Sequence, residues 1–377
     1  MKLKRLFALL GAVIISTSLY ACFDDDTEDS SSGGGTSQFV EKPVDGTDIL
    51  FDEGMDFYNK APSVIKISDS EKYIFYTVND VAKGGKSSIA VRKAVKEDDE
   101  WSYGEKTAAL AASESAFDKA GVSDPDVIGG RFVYDGDEYA YLMAYEGTDN
   151  LISKDHKIGF AVAKNPLGEW KKVENLVLSG ENFDSFGLSQ PSLINFDKKN
   201  KVVLFCSSDR GSYTVQTLRE MDLADLNNPV IGVENVLAEK GIKDKNDYPT
   251  FNDADFAYDS VSGYLYVVRN QNPSASQGCK LITAVQVNKI LFADLFTDDA
   301  RWSIVKERVE WKDLRDPDDE ESMGWSYVYS ACISADAFGY VDNAAELDVV
   351  LTVTSYDEAT FDYLYYQTMT EFTVKLV

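Results

Sequence analysis

Four aspartates fall in two identically spaced pairs, Asp124 with Asp126 and Asp253 with Asp255, each at the head of a short apolar run. Residues two apart in an extended chain share a face, so both members of a pair point the same way. Asp124 and Asp253 admit two readings: contact with a ligand, or capping of nearby backbone N–H groups. Asp126 and Asp255, two residues deeper, would approach a shared channel, where they either offer oxygen ligands to a cation such as Ca²⁺ or face water. Around them stand Glu146, a carboxylate able to exchange a proton, and Gln190, which opens a related segment. Asp209-Arg210 and Arg269-Asn270-Gln271 combine charge with amides, and Trp325 brings a flat apolar face. Such a set suits recognition of hydroxyl-rich ligands, through paired hydrogen bonds and stacking on aromatic rings. Arg210 and Arg269 have a second use in so acidic a chain, pairing with nearby Asp. His156 is the only histidine and lies in a polar Lys-Asp-His-Lys loop that reads as exposed.

What could bring these residues together is a repeat. One segment type returns five times: Ala61-Pro62-Ser63-Val64-Ile65, Asp124-Pro125-Asp126-Val127-Ile128, Gln190-Pro191-Ser192-Leu193-Ile194, Asp253-Ala254-Asp255-Phe256-Ala257 and Ser330-Ala331-Cys332-Ile333-Ser334. The steps between them are 63, 66, 63 and 77 residues. Each is followed by an aromatic or β-branched strand, such as Lys72 to Thr77, Glu138 to Tyr145 and Gly263 to Val268, entered through turn chemistry such as Asp135-Gly136-Asp137. A third strand follows in every unit, and in three units a segment bearing Trp101, Trp170 or Trp302 comes next. Four antiparallel strands in a repeat of this length describe a propeller blade.

The expected fold is therefore all-β, a five-bladed β-propeller over residues 46–377. A single four-stranded sheet cannot bury both of its faces, whereas a ring packs each face on a neighbour. The 21 Tyr and 20 Phe supply the bulk to fill the wedges between sheets. The fifth unit has three clear strands, so Asp48 to Asp52 is expected to add the fourth and close the ring. Thr107 to Lys119, rich in Ala, is expected to form a short inserted helix. Second-strand ends return to the face where the first strands begin. That geometry puts Glu146, Asp209, Arg210, Arg269, Asn270 and Gln190 around one mouth, with Trp325 overhanging it.

The X-Pro-X-hydrophobic openings of the first three units and the run Ile158-Gly159-Phe160-Ala161-Val162-Ala163-Lys164-Asn165-Pro166-Leu167-Gly168-Glu169-Trp170 resemble the arabinanase/β-xylosidase type of five-bladed glycoside hydrolases. The resemblance spans most of the domain and is strongest in the second blade. It implies a site with an Asp opening the first blade, an Asp opening the second and a Glu opening the third. The matching positions here are Ala61, Asp124 and Gln190, so one of three carboxyl groups remains. An amide cannot donate a proton as a carboxylic acid does, and alanine offers no base. The resemblance thus implies a carbohydrate-binding, catalytically degenerate propeller. The alternatives are an active hydrolase with relocated carboxylates, Asp124, Glu146 and Asp253, and a propeller scaffold for protein partners.

The chain ends bear on location. Lys2, Lys4 and Arg5 precede an apolar run from Leu6 to Leu19, the pattern of a secretory signal. Leu19-Tyr20-Ala21-Cys22 resembles a bacterial lipobox, which implies cleavage after residue 21 and lipid attachment at Cys22. Residues 22–45 read as an acidic Ser/Gly tether, and the acidic stretch behind Cys22 resembles the surface-export signal of Bacteroidetes lipoproteins. An outer-membrane, surface-exposed lipoprotein is expected, touching the membrane through its lipid alone. The net charge of −27 argues against nucleic acid as a partner and favours neutral or cationic ligands such as an oligo- or polysaccharide. Cys206, Cys279 and Cys332 lack metal-site spacing, and no cofactor is expected beyond the channel cation.

Overall fold

The computed structural model describes residues 50, 58–79, 86–98, 100–150, 154–180, 185–211, 213–242, 251–271, 284–314, 327–341, 345–354 and 367–376. The leader, the tether with Cys22, Trp325 and Cys279 lie outside the described residues. Blade 1 holds β1 (Tyr58–Ser68), β2 (Glu71–Asn79), β3 (Ser88–Glu97), β4 (Glu100–Tyr103) and β5 (Thr107–Leu110). Blade 2 holds β6 (Gly121–Tyr134), β7 (Asp137–Thr148), β8 (Lys157–Ala163) and β9 (Lys171–Ser179). Blade 3 comprises β10 (Leu188–Asn195), β11 (Lys201–Asp209), β12 (Thr214–Asp222) and two short pieces, β13 (Val230–Ile231) and β14 (Asn235–Val236). Blade 4 comprises β15 (Asp255–Tyr258), β16 (Tyr264–Gln271), β17 (Ala284–Leu291) and β18 (Ser303–Glu310). Blade 5 comprises β19 (Tyr327–Ile333), β21 (Glu346–Thr354) and β22 (Gln367–Lys375), with β20 (Ala335–Asp336) bridging to β1. Within each blade successive strands pair antiparallel, which makes five sheets in a ring.

The core lies between sheets. Each of five apolar clusters fills one wedge. Ile128, Leu142 and Phe160 of blade 2, for example, meet Leu193, Leu204 and Met221 of blade 3. Trp302 and Trp170 are buried in such wedges, Trp170 packing edge-on to Phe75 with centroids 5.5 Å apart. Burying one large aromatic contributes on the order of 2–3 kcal/mol, so these wedges dominate the stability of the ring.

Each repeat opening forms the innermost strand and carries the same irregularity. The ladders slip between Lys60 and Ser63, Ser123 and Asp126, Ser189 and Ser192, and Tyr329 and Cys332, while β15 begins its ladder only at Asp255. At the first residue of each opening the backbone turns left-handed: φ is 51° at Ala61, 47° at Asp124, 53° at Gln190, 44° at Asp253 and 43° at Ser330. A bulge of this kind re-aims a side chain and ends regular pairing. Repeated five times, it turns five side chains toward one axis.

Below the bulges the blades clasp one another. The third residue of each opening accepts the backbone N–H of the fourth residue in the next blade. Ser63 Oγ takes Val127 N–H at 3.1 Å, Asp126 Oδ2 takes Leu193 at 2.5 Å, Ser192 Oγ takes Phe256 at 3.0 Å and Asp255 Oδ2 takes Ile333 at 2.7 Å. Cys332 receives Val64 N–H and completes the circle between blades 5 and 1. The same seam carries the ion pairs Lys66–Asp348 at 2.7 Å and Lys72–Glu371 at 2.6 Å. Of the expected closing segment only Leu50 lies among the described residues. Its N–H donates to Met369 O at 3.0 Å, and its side chain is buried in the seam cluster.

The helix expected at Thr107 to Lys119 is absent. Thr107–Leu110 is a strand paired with β3 (Ile89 opposite Leu110), and the following residues are turns and bends. The free edge of β3 outcompetes the local helix propensity of five alanines. Lys172 Nζ then fastens the segment by donating to Ala111 O, Ser113 Oγ and Asp118 Oδ2.

Candidate functional site

The five bulge residues surround a cavity on the ring axis of about 40 Å³, lined by Ala61, Asp124, Gln190, Asp253 and Ser330 with Asp126 and Asp255 beneath. That space holds roughly three waters or one small chemical group and opens to solvent. Each bulge N–H is accepted by an oxygen at the mouth of the preceding blade. Thr352 Oγ1 takes Ala61 at 3.1 Å, Thr77 Oγ1 takes Asp124 at 2.8 Å and Glu146 Oε2 takes Gln190 at 3.4 Å. Asn270 Oδ1 takes Ser330 at 3.0 Å, and Asp253 N–H donates to Gln190 Oε1 at 3.1 Å. Four second-strand residues and the neighbouring opening's Gln190 therefore hold the strained openings in place.

Asp253 is the hub of the mouth. Its Oδ1 accepts from Gln190 Nε2, and its Oδ2 from Asn270 Nδ2 at 2.5 Å and Ser330 Oγ at 3.0 Å, tying blades 3, 4 and 5 to one carboxyl group. Burial, and then the charge of Asp124, push its pKa up to about 7. Asp124 is engaged by Lys60, whose ammonium lies 3.5 Å from Oδ2 in a buried ion pair. One wall of the site thus holds a carboxylate beside an internal cation, and the other a carboxyl group poised to carry a proton near neutrality.

The remaining expected residues take other places. Glu146 belongs to the mouth ring, and its Oε1 lies 2.6 Å from His156 Nδ1. His156 is not exposed: it is buried, stacked on Phe186 with centroids 3.9 Å apart, because Glu146 meets its polar edge and Phe186 covers its face. Arg269 is fully buried rather than lining the mouth, donating to Ile242 O at 2.7 Å, Gln286 Oε1 at 2.7 Å and Asn270 O at 3.0 Å. Asn270 is also fully buried and acts through Asp253 and Ser330. Asp209 takes Phe186 N–H and Gly211 N–H at 2.7 Å each, and so shapes a loop. Arg210 pairs with Glu234, which also holds Arg219.

Asp126 and Asp255 do share the channel, but their oxygens serve the clasps. Asp126 accepts from Ser63 Oγ and Leu193 N–H, and Asp255 from Ser192 Oγ and Ile333 N–H. Burial and their mutual repulsion hold Asp126 well above the usual carboxylate range, and burial pushes Asp255 up to about 6. Among the described residues no group of three or more His, Cys, Asp or Glu is arranged to hold a metal ion. Sequence reasoning missed Lys60, Ser330 and the burial of His156. Lys60 and Ser330 could have been found from their places beside and at the first residue of a repeat opening; nothing in a Lys-Asp-His-Lys loop announces a buried ring.

No known protein-family model matches the sequence, and no curated protein matches it. Solved structures do match its fold. A family 117 glycoside hydrolase from the marine bacterium Zobellia galactanivorans aligns at TM-score 0.55 with 15% identity, covering 90% of each chain. An α-L-arabinofuranosidase from Podospora anserina, solved with cellotriose, aligns at 0.54 with 10% identity over 89% of this chain and 95% of that one. A family 62 hydrolase solved with xylotriose aligns at 0.52 with 9% identity over 84% and 90%. At such identities the likeness is one of architecture. Five sheets, five wedges and a common axial mouth give this chain the five-bladed β-propeller fold of glycoside hydrolases.

Proposed function

We propose that this protein is a cell-surface lipoprotein whose propeller binds an oligo- or polysaccharide at the axial mouth without running the hydrolysis associated with its fold. The observation that carries this reading is the composition of the five bulge positions: Ala61, Asp124, Gln190, Asp253 and Ser330. Hydrolysis of a glycosidic bond needs two carboxyl groups free to act on either side of it. Here Asp253 is spent on Gln190, Asn270 and Ser330, and Asp124, the other carboxylate of the five, is paired with Lys60. The saccharides bound by structurally similar hydrolases support a carbohydrate as the ligand.

The specific observation favouring an active enzyme is the pKa of about 7 at Asp253, suited to a general acid at neutral pH. One experiment separates the readings: incubation of the chain with plant and host polysaccharides, scoring both retention and new reducing ends. Retention without product is expected. Product released by the wild type and lost in Asp124→Asn would establish the enzyme instead. Radiolabelled palmitate incorporated by the wild type but not by Cys22→Ala would support the anchor.

A further inference from the structure

The innermost strand of a blade turns a free edge toward the ring axis, and N–H groups on such an edge need partners once they are buried. In blades 2, 3 and 4 the partner of one such group comes from a single distant loop. Gly129 N–H donates to Ala337 O, Asn195 N–H to Phe338 O at 2.9 Å, and Tyr258 N–H to Gly339 O at 3.0 Å. Each donor stands five residues past the bulge of its own blade. Just before these acceptors, Ala335 and Asp336 pair in parallel with Ile65 and Lys66 of blade 1. The loop leaves blade 5 at the end of β19, so its residues meet blades 1, 2, 3 and 4 in turn. A chain bonded to every inner strand must lie across the axis that those strands surround.

The loop's own bonds suit it to that place. Asp336 N–H donates to Tyr340 O at 2.8 Å, and Asp336 Oδ1 accepts Phe338 N–H at 2.8 Å and Tyr340 N–H at 2.9 Å. These bonds close the loop on itself, while the carbonyls of residues 337 to 339 serve the blades outside it. Gly339 takes a φ of 81°, and a Cβ there would stand 2.7 Å from Leu193 O. A Cβ at Gly129 would stand 3.1 Å from Ala337 O, so both glycines permit the close approach. Tyr340 OH donates to Phe196 O at 2.9 Å, and Lys198, 3.5 Å from Asp336 Oδ2, lies over the Phe338 and Tyr340 rings.

We propose that residues 335–341 form a plug that seals the channel at the end far from the bulges and bolts the five inner strands together. The channel is then a blind well entered through the bulge mouth, whatever ligand that mouth takes. The plug also shields the clasps above it from water on that side.

The test is amide-resolved hydrogen exchange on the full chain, wild type and Asp336→Ala. In the wild type the Gly129, Asn195 and Tyr258 amides should be as protected as Leu204 in the middle of blade 3. Exchange there as fast as in an exposed turn would overturn the plug, even if the variant fails to fold. In Asp336→Ala the three amides should exchange at least about tenfold faster, by a common factor, with Leu204 unchanged. The clasp amides of Val127, Leu193 and Phe256 should follow as water enters. Asp336→Asn, which keeps the accepting Oδ1, should stay near the wild type. Acceleration confined to residues 335–341 would reduce the plug to a surface loop and overturn the proposal. Equal acceleration at Leu204 would do the same, by showing a general loss of stability. Opening of the three contact amides with the clasps still closed would overturn the seal and leave the bolt.

Discussion

Ala61 adopts the left-handed backbone that Asp124, Gln190, Asp253 and Ser330 adopt at equivalent places. For an L-residue that conformation costs about 1–2 kcal/mol, and Asp is among the side chains that bear it best. Ala61 has no such help, and its strain is held by Thr352. Ala61→Gly should therefore stabilise the protein by about 0.5–1 kcal/mol, after the larger entropy loss of glycine, as a higher urea midpoint would report. Asp253 calls for a pH measurement. Its folded pKa of about 7 lies above the ordinary aspartate value, so its protonated form favours folding at low pH and that contribution is lost as pH rises through 7. Asp253→Asn removes the dependence. Its stability relative to the wild type should rise between pH 5 and 8, by at most about 1.4 kcal/mol per pH unit, in paired denaturant titrations.

At the scale of elements, the clasps between first strands are built from few atoms and should fail singly. Ser192 donates to Asp255 at 2.7 Å and accepts from Phe256 N–H at 3.0 Å. Ser192→Ala leaves the buried Phe256 N–H and Asp255 Oδ1 without a partner and should cost about 1–3 kcal/mol, measurable in guanidinium unfolding. Strand order and the wedge cores were legible in the sequence because turn residues and aromatic runs repeat with each blade. The bulges were not, since Ala-Pro and Gln-Pro openings read simply as extended chain. The place of Arg269 was hidden for another reason. It sits next to mouth residues in sequence, yet alternation along β16 turns it away from Asn270's face and into the wedge. The 107–119 segment misled because alanine content reports local preference, while an open strand edge is a fact of the assembled blade.

Across the whole molecule, stability depends on keeping a circle of separate sheets closed where the last blade meets the first. Lys72 is fully buried at that seam, bonded to Glu371 and set 4.3 Å over the Trp101 ring. Lys72→Met leaves Glu371 facing apolar surroundings and should cost about 2–4 kcal/mol, at the lower end because Glu371 keeps some water contact. Adding Glu371→Gln should restore more than half of that loss in a double-mutant cycle. The clasp residues run Ser63, Asp126, Ser192, Asp255 and then Cys332. Two letters cannot alternate around an odd number of stations, so the pattern must meet a misfit somewhere. It does so where the last blade greets the first. A thiol, the weakest acceptor of the five, stands at the joint between the last blade and the first, and a circularly permuted chain would carry that mismatch into the middle of its sequence.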